Sequence, residues 1–283
     1  MAVISGPPPY PGEQVVQPRP GDELGFFTDS SICIGCKACE VACKQWNDVP
    51  VDLTDIRFLN ASYDNTGELD ANHWRHVAFV EQRRADGELV WLMNSDVCKH
   101  CKEAACLDVC PTGAIFHTEF DTVVVQQDVC NGCGYCIPAC PFGVISRREG
   151  VVSRPETNGI AQKCTLCYDR LSGGLEPACA QACPTKSIQF GPLPELRARA
   201  GRRLETLHAE GRREARLYLA DESDNGLGGA GSLFLLMDEP KTYGLPEHPV
   251  VPTRRLKEMW GAAAAAAGLV VAGVGLALSA GRR

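Results

Sequence analysis

Sixteen cysteines in a chain of 283 residues are the side chains whose type and spacing point to chemistry. They fall into four groups of four: Cys33-x2-Cys36-x2-Cys39-x3-Cys43, Cys98-x2-Cys101-x4-Cys106-x3-Cys110, Cys130-x2-Cys133-x2-Cys136-x3-Cys140 and Cys164-x2-Cys167-x11-Cys179-x3-Cys183. Pro111, Pro141 and Pro184 follow the last cysteine of the second, third and fourth groups. Disulfides, structural zinc and iron–sulfur clusters compete for such a set. Disulfide-dense chains are mostly short secreted domains that lack a core, whereas this one is long enough for about two domains. Residues 1–10 have no charged or apolar signal pattern, so no secretory signal peptide is expected. Structural zinc takes two close ligand pairs with a longer spacer, which keeps it open for the second and fourth groups. The C-x2-C-x2-C-x3-C run is instead the pattern of two-cluster ferredoxins, in which three thiolates hold one cluster and the fourth reaches the other.

Sixteen thiolates satisfy four [4Fe–4S] clusters, and no replaced ligand points to a three-iron cluster. Applying the cross-ligation rule predicts cluster 1 on Cys33, Cys36, Cys39 and Cys183, and cluster 2 on Cys43, Cys164, Cys167 and Cys179. Cluster 3 falls to Cys98, Cys101, Cys106 and Cys140, and cluster 4 to Cys110, Cys130, Cys133 and Cys136. His100, inside the second group, is read as a hydrogen-bonding or solvated side chain because its cysteine set is complete. His73 and His76 lack a third ligand and are read as ordinary histidines. Lys37, Lys44, Lys99, Lys102, Lys163 and Arg170 stand near the cysteines and would favour the reduced clusters where they are buried.

The elements that must position these thiols show in the repeats. Cys110-Pro-Thr-Gly-Ala-Ile-Phe and Cys183-Pro-Thr-Lys-Ser-Ile-Gln-Phe are variants of one phrase, a helix, a proline break and a short strand. Two short strands about a tight turn are expected across 115–125, and a β-hairpin from Val77–Gln82 and Glu88–Met93. The second and third groups then make one ferredoxin-like unit, and the first and fourth must pair across the chain. The expected class is α+β, with two ferredoxin-like [4Fe–4S] domains, one inserted in the other. The boundaries are an extended proline-rich arm over 1–24, a discontinuous first domain over 25–94 and 151–193, and an inserted second domain over 95–150. A charged helix (194–217) and a strand (232–237) extend over 194–258, and a membrane-spanning helix covers 259–281.

That last segment contains 21 uncharged residues from Trp260 to Ala280, enough to cross a bilayer at 1.5 Å per residue. Arg254, Arg255 and Lys257 precede it and Arg282 and Arg283 follow. Its nine alanines and four glycines suit close packing against another membrane helix. The net charge of -7 and pI near 5.4 argue against a nucleic-acid partner. No G-x-G-x-x-G after a strand, P-loop or nucleophile elbow is present, so the redox input and output are expected on partner chains.

Cys33-Ile-Gly-Cys-Lys-Ala-Cys-Glu-Val-Ala-Cys-Lys-Gln-Trp-Asn47 resembles the opening motif of the beta (iron–sulfur) subunit of respiratory formate dehydrogenase. His73-Trp74, Cys130-Asn-Gly-Cys-Gly-Tyr-Cys136, Lys163-Cys-Thr-Leu-Cys-Tyr-Asp-Arg170, Glu176-Pro-Ala-Cys-Ala-Gln-Ala-Cys-Pro184 and Tyr243-Gly-Leu-Pro246 share the likeness, which runs from about 25 to 250. The resemblance implies an electron-transfer subunit between a molybdenum or tungsten bis-pterin alpha subunit that oxidises formate to carbon dioxide and a b-type cytochrome gamma subunit that reduces quinone. It further implies cluster domains on the outer face of the cytoplasmic membrane, exported with the alpha subunit. The departures are the Ala/Gly-rich helix and a chain stopping at Arg283. The alternatives are the equivalent subunit of a sulfoxide, polysulfide or thiosulfate reductase, of a hydrogenase, or of a soluble cytoplasmic formate dehydrogenase; a structural zinc scaffold is a third class.

Overall fold

The computed structural model describes residues 18–50, 63–64, 66–83, 87–150, 155–221 and 226–280. Most of the proline-rich arm, the tip of the expected hairpin, and Arg282 and Arg283 lie outside the described residues.

The apolar run Leu24–Asp29 forms β1, with all six residues buried, and leads through a 3-10 turn into the first cysteine loop and helix α1 (Ala38–Trp46). Strands β2 (Arg75–Arg83) and β3 (Leu89–Val97) pair antiparallel over nine positions, from Arg75 opposite Val97 to Arg83 opposite Leu89. Helix α2 (Ala105–Asp108), strands β4 (Ile115–His117) and β5 (Val123–Val125), and helix α3 (Cys136–Ala139) follow. Next come β6 (Ser146–Arg147), β7 (Ala161–Gln162), and helices α4 (Tyr168–Ser172) and α5 (Ala178–Gln181). The chain continues as β8 (Ile188–Pro192), α6 (Leu193–Ala209), β9 (Arg216–Tyr218), β10 (Ser232–Leu236) and α7 (Leu256–Ala280).

The largest sheet has the order β8-β1-β10-β9. β1 runs antiparallel to β8, with Phe26 opposite Phe190, and parallel to β10, with Phe26 opposite Ser232. Successive strand residues point to opposite faces, and both Phe26 and Phe27 are fully buried, so both faces of the sheet are covered. Amphipathic α6 packs against β1, β8 and β10 and buries Leu193, Leu196, Ala200 and Leu207.

One element differs from its sequence expectation. The helix expected over 194–217 ends at Ala209, because Gly211 takes a φ of +88° and turns the chain. Leu217 then pairs with Leu235 as part of β9. The strand following the glycine-rich turn is an inner strand of the main sheet, where Leu233, Phe234, Leu235 and Leu236 are all fully buried.

Helix α7 is about 38 Å long at 1.5 Å per residue. The stretch Pro252–Leu278 is long enough to cross a membrane, and the 18-residue apolar window within it has a mean hydropathy of 2.0 and is not buried against the rest of the chain. Its base is tied down by Thr253 Oγ1, which donates to Asp108 Oδ2, and by an ion pair between Arg254 and Glu103.

Candidate metal centres

All four cysteine groups open on the same backbone device. The residue just before the second cysteine adopts a left-handed φ: Gly35 at +63°, His100 at +44°, Gly132 at +71° and Leu166 at +56°. Glycine takes this conformation freely, whereas His100 and Leu166 hold it against steric strain. The Cys-Pro phrases share a second device: Gly113, Gly143 and Lys186 each donate an N–H to the carbonyl of the cysteine three residues earlier, at 3.3, 3.3 and 3.2 Å. All three have a φ between +55° and +67°. The first group has no such proline, and α1 continues through Cys43 to Trp46.

Every cysteine is free. The folded chain brings together thiols from different groups. Cys33 lies within electrostatic reach of Cys36 and Cys183, and Cys43 within reach of Cys164, Cys167 and Cys179. Cys101 has Cys98, Cys106 and Cys140 around it, while Cys136 has Cys110, Cys130 and Cys133. Neighbouring sets also approach each other, Cys39 beside Cys179 and Cys98 beside Cys164. Exposure is uneven: Cys36 and Cys133 are exposed, whereas Cys43, Cys164, Cys167 and Cys179 are all buried.

Burial pushes the thiols of Cys39 and Cys106 up to about 12 and that of Cys136 to about 11, because desolvation penalises a thiolate. Cys43 and Cys101 are raised well above the ordinary thiol range for the same reason. At Cys110, slight burial is outweighed by hydrogen bonds from Thr112, Ile115 and Ala114, which hold it below that range.

Buried cations stand among these thiols. Arg75, only 2% exposed, donates from Nη2 to Cys179 Sγ at 3.3 Å and from Nη1 to the Ser95 carbonyl at 3.2 Å. Burial disfavours its charge, yet Cys179 and Cys39 hold its pKa above the ordinary arginine value. Lys99 is bonded to Asp96 and to the Val97 carbonyl, between the rings of Phe142 and Phe234 at 5.0 and 5.1 Å. Lys163 donates to the Val123 and Cys164 carbonyls, and Arg170 to the Glu176 carbonyl. Of the basic residues near the cysteines, Lys99, Lys163 and Arg170 are buried, whereas Lys37 and Lys44 are half-exposed and Lys102 is exposed beside Glu23. Asn47 donates from Nδ2 toward Cys43 Sγ at 3.6 Å and Cys167 Sγ at 3.8 Å.

The histidines serve the frame. His100 is buried with its Nδ1 accepting the Val123 N–H at 3.1 Å, and burial drives its pKa well below the ordinary range, so it is neutral. His73 contacts Asp70, and His76 contacts Thr66 and Asp64. Sequence reasoning missed Arg75 and Ser95 because both lie on the hairpin and meet cysteines far off in the chain, Arg75 with Cys179 and Ser95 with Cys39. The only available signal was charge and polarity on strands otherwise patterned for burial.

The donor set fits a cluster. Among the described residues no three Cys, His, Asp or Glu side chains converge on one point as ligands of a single ion do. The thiols gather in sets drawn from different cysteine groups, as ligands of polynuclear clusters do, with fully buried Arg75 leaving Nε without a partner in their midst.

Such loops and thiol sets define a 4Fe–4S dicluster protein. Two family models, each described as a 4Fe-4S dicluster domain, match residues 32–114 and 89–193. The nitrate-inducible formate dehydrogenase iron–sulfur subunit of Escherichia coli (strain K12) is 38% identical over 261 residues, covering 90% of this chain and 83% of the relative. The formate dehydrogenase iron–sulfur subunit of Haemophilus influenzae is 41% identical over 233 residues, 81% of this chain and 70% of that one. A component polypeptide of the anaerobic dimethyl sulfoxide reductase of Escherichia coli (strain K12) is 38% identical over 179 residues, 63% of this chain and 78% of the relative. The chain belongs to the family of formate dehydrogenase iron–sulfur subunits and is an electron-transfer subunit of an oxidoreductase.

Proposed function

We propose that this chain relays electrons through four [4Fe–4S] clusters from a molybdenum or tungsten bis-pterin subunit that oxidises formate to a membrane cytochrome b subunit that reduces quinone. The carrying observation is the regrouping of thiols, since Cys43 keeps company with the fourth cysteine group and Cys183 with the first. It supports the ligand sets 33/36/39/183, 43/164/167/179, 98/101/106/140 and 110/130/133/136. The same pairing supports a first ferredoxin-like unit over 25–94 and 151–193 with a second, 95–150, inserted in it. Ser187 Oγ donates to the Asp29 carbonyl at 2.7 Å across 158 residues, closing the outer unit.

When bound, the clusters supply one-electron carriers. The chain's own residues hold and tune them: thiols ligate, positive-φ loops wrap, buried side chains exclude water, and Arg75, Lys99 and Lys163 offset negative charge. Helix α7 anchors the body in the membrane, with the cluster units on the outer face. Purifying the chain with its native partners and adding formate tests this: the clusters should become reduced. Complexes whose clusters stay oxidised with formate, and are reoxidised by dimethyl sulfoxide after chemical reduction, would move the chain to the second reading, that of a sulfoxide reductase. The 38% identity to a dimethyl sulfoxide reductase component favours that reading among the alternatives.

A further inference from the structure

Adding an electron to a cluster adds a negative charge, which a low-dielectric interior resists. The set Cys43, Cys164, Cys167 and Cys179 has all four thiols buried, unlike the set containing exposed Cys36 or that containing exposed Cys133. Left to burial alone, it would be a hard set to reduce and would interrupt a chain of electron hops. The structure supplies a counter-charge there. Arg75 Nη2 donates to Cys179 Sγ at 3.3 Å, and its guanidinium lies 4.7 Å from the centre of the Phe26 ring. Nη1 reaches the Ser95 carbonyl at 3.2 Å and Ser95 Oγ at 3.4 Å, and that hydroxyl is 3.3 Å from Cys39 Sγ. A polar bridge therefore runs Cys39–Ser95–Arg75–Cys179, linking the two thiol sets.

Among the described residues no ion pair engages Arg75, and its Nε has no partner. A fully buried guanidinium without a carboxylate is costly unless negative charge sits beside it. Arginine stays charged under all working conditions, so it acts as a fixed charge. We propose that Arg75 is a positioning residue that raises the reduction potential of the cluster on Cys43, Cys164, Cys167 and Cys179 and so keeps the most enclosed site reducible. This rests on the four-cluster reading above.

The test is a redox titration of the native complex followed by electron paramagnetic resonance, with Cys179→Ser marking the component that belongs to this set. In Arg75→Met that component should lose at least tenfold in its ratio of reduced to oxidised form at fixed potential, about 59 mV for a one-electron couple. Arg75→Lys, which keeps the charge but not the fork, should shift it less. The two components on 98/101/106/140 and 110/130/133/136 should stay in place. A wild-type potential in Arg75→Met with full iron content overturns the proposal. If that variant loses iron, neutral Arg75→Gln is read the same way; loss of iron in both would make the residue one of assembly and equally overturn it. Fewer than four components in the wild-type complex would instead defeat the underlying reading.

Discussion

Trp46 and Asp169, 123 residues apart in sequence, meet through a hydrogen bond from the indole Nε1 to the carboxylate Oδ2 at 2.8 Å. Arg170 lies over the same indole at 4.2 Å. The contact joins the helix that carries Cys43 to the one that follows Cys167, so two distant cysteine groups share one mechanical frame. Trp46→Phe keeps much of the packing but loses the hydrogen bond and weakens the cation–π contact, at a cost of about 1–2 kcal/mol. For a chain of this size the thermal midpoint should fall by about 2–8 °C, measured by calorimetry on the cluster-loaded protein. An unchanged midpoint would mean that the two groups are held together without this tie.

The glycines of the loops separate into two kinds. A Cβ at Gly132 would lie 2.5 Å from the Gly159 carbonyl oxygen, with φ at +71°, and backbone cannot move aside cheaply. Gly132→Ala should therefore lose iron from the set containing Cys130 and Cys133. Gly113, at φ +67°, faces open space. Gly113→Ala should cost only about 1 kcal/mol of conformational strain and keep its iron. Iron content and melting temperature of the two variants check the contrast.

His117 and Asp121 predict a pH dependence. The Asp121 carboxylate, its Oδ1 at 2.9 Å from the ring Nδ1, raises the His117 pKa above its ordinary value against partial burial. A raised histidine pKa gives stability that is complete below about pH 6.5, the unfolded value, and is lost as pH rises through the folded one. The protein should melt higher at pH 6 than at pH 8 through this pair. Asp121→Asn tolerates the φ of +57° at that position and should flatten the difference. Melting curves at the two pH values decide it.

The carboxyl-terminal helix predicts a fractionation result. Val270 is exposed near the middle of α7. Val270→Arg should weaken insertion by about 2.5–3.5 kcal/mol and release chain and iron together into the soluble fraction. Retention of the variant in washed membranes would assign membrane attachment to partner subunits rather than to α7.

The cysteine spacing made much of the site legible, because cluster ligation demands a short, regular interval that survives as a sequence pattern. The hairpin of β2 and β3 was legible from two apolar runs flanking an Asp-Gly turn signal, and the apolar span from composition. Arg75, Ser95 and the Trp46–Asp169 tie were not, since each meets its partners from a distant part of the chain and no local period records that. Leu166 shows a related limit: its φ of +56° is imposed by the loop shared with Gly35 and Gly132, where glycine alone would have signalled it. The inner position of β10 was hidden too, because pairing with β1 joins strands about 200 residues apart.

The measurement that bears most directly on the whole account is the iron and acid-labile sulfide content of the purified chain. Four [4Fe–4S] clusters require about sixteen iron and sixteen sulfide per chain, and zinc should be absent. About half that iron, or zinc in place of iron and sulfide at the second or fourth cysteine group, would contradict a four-cluster relay.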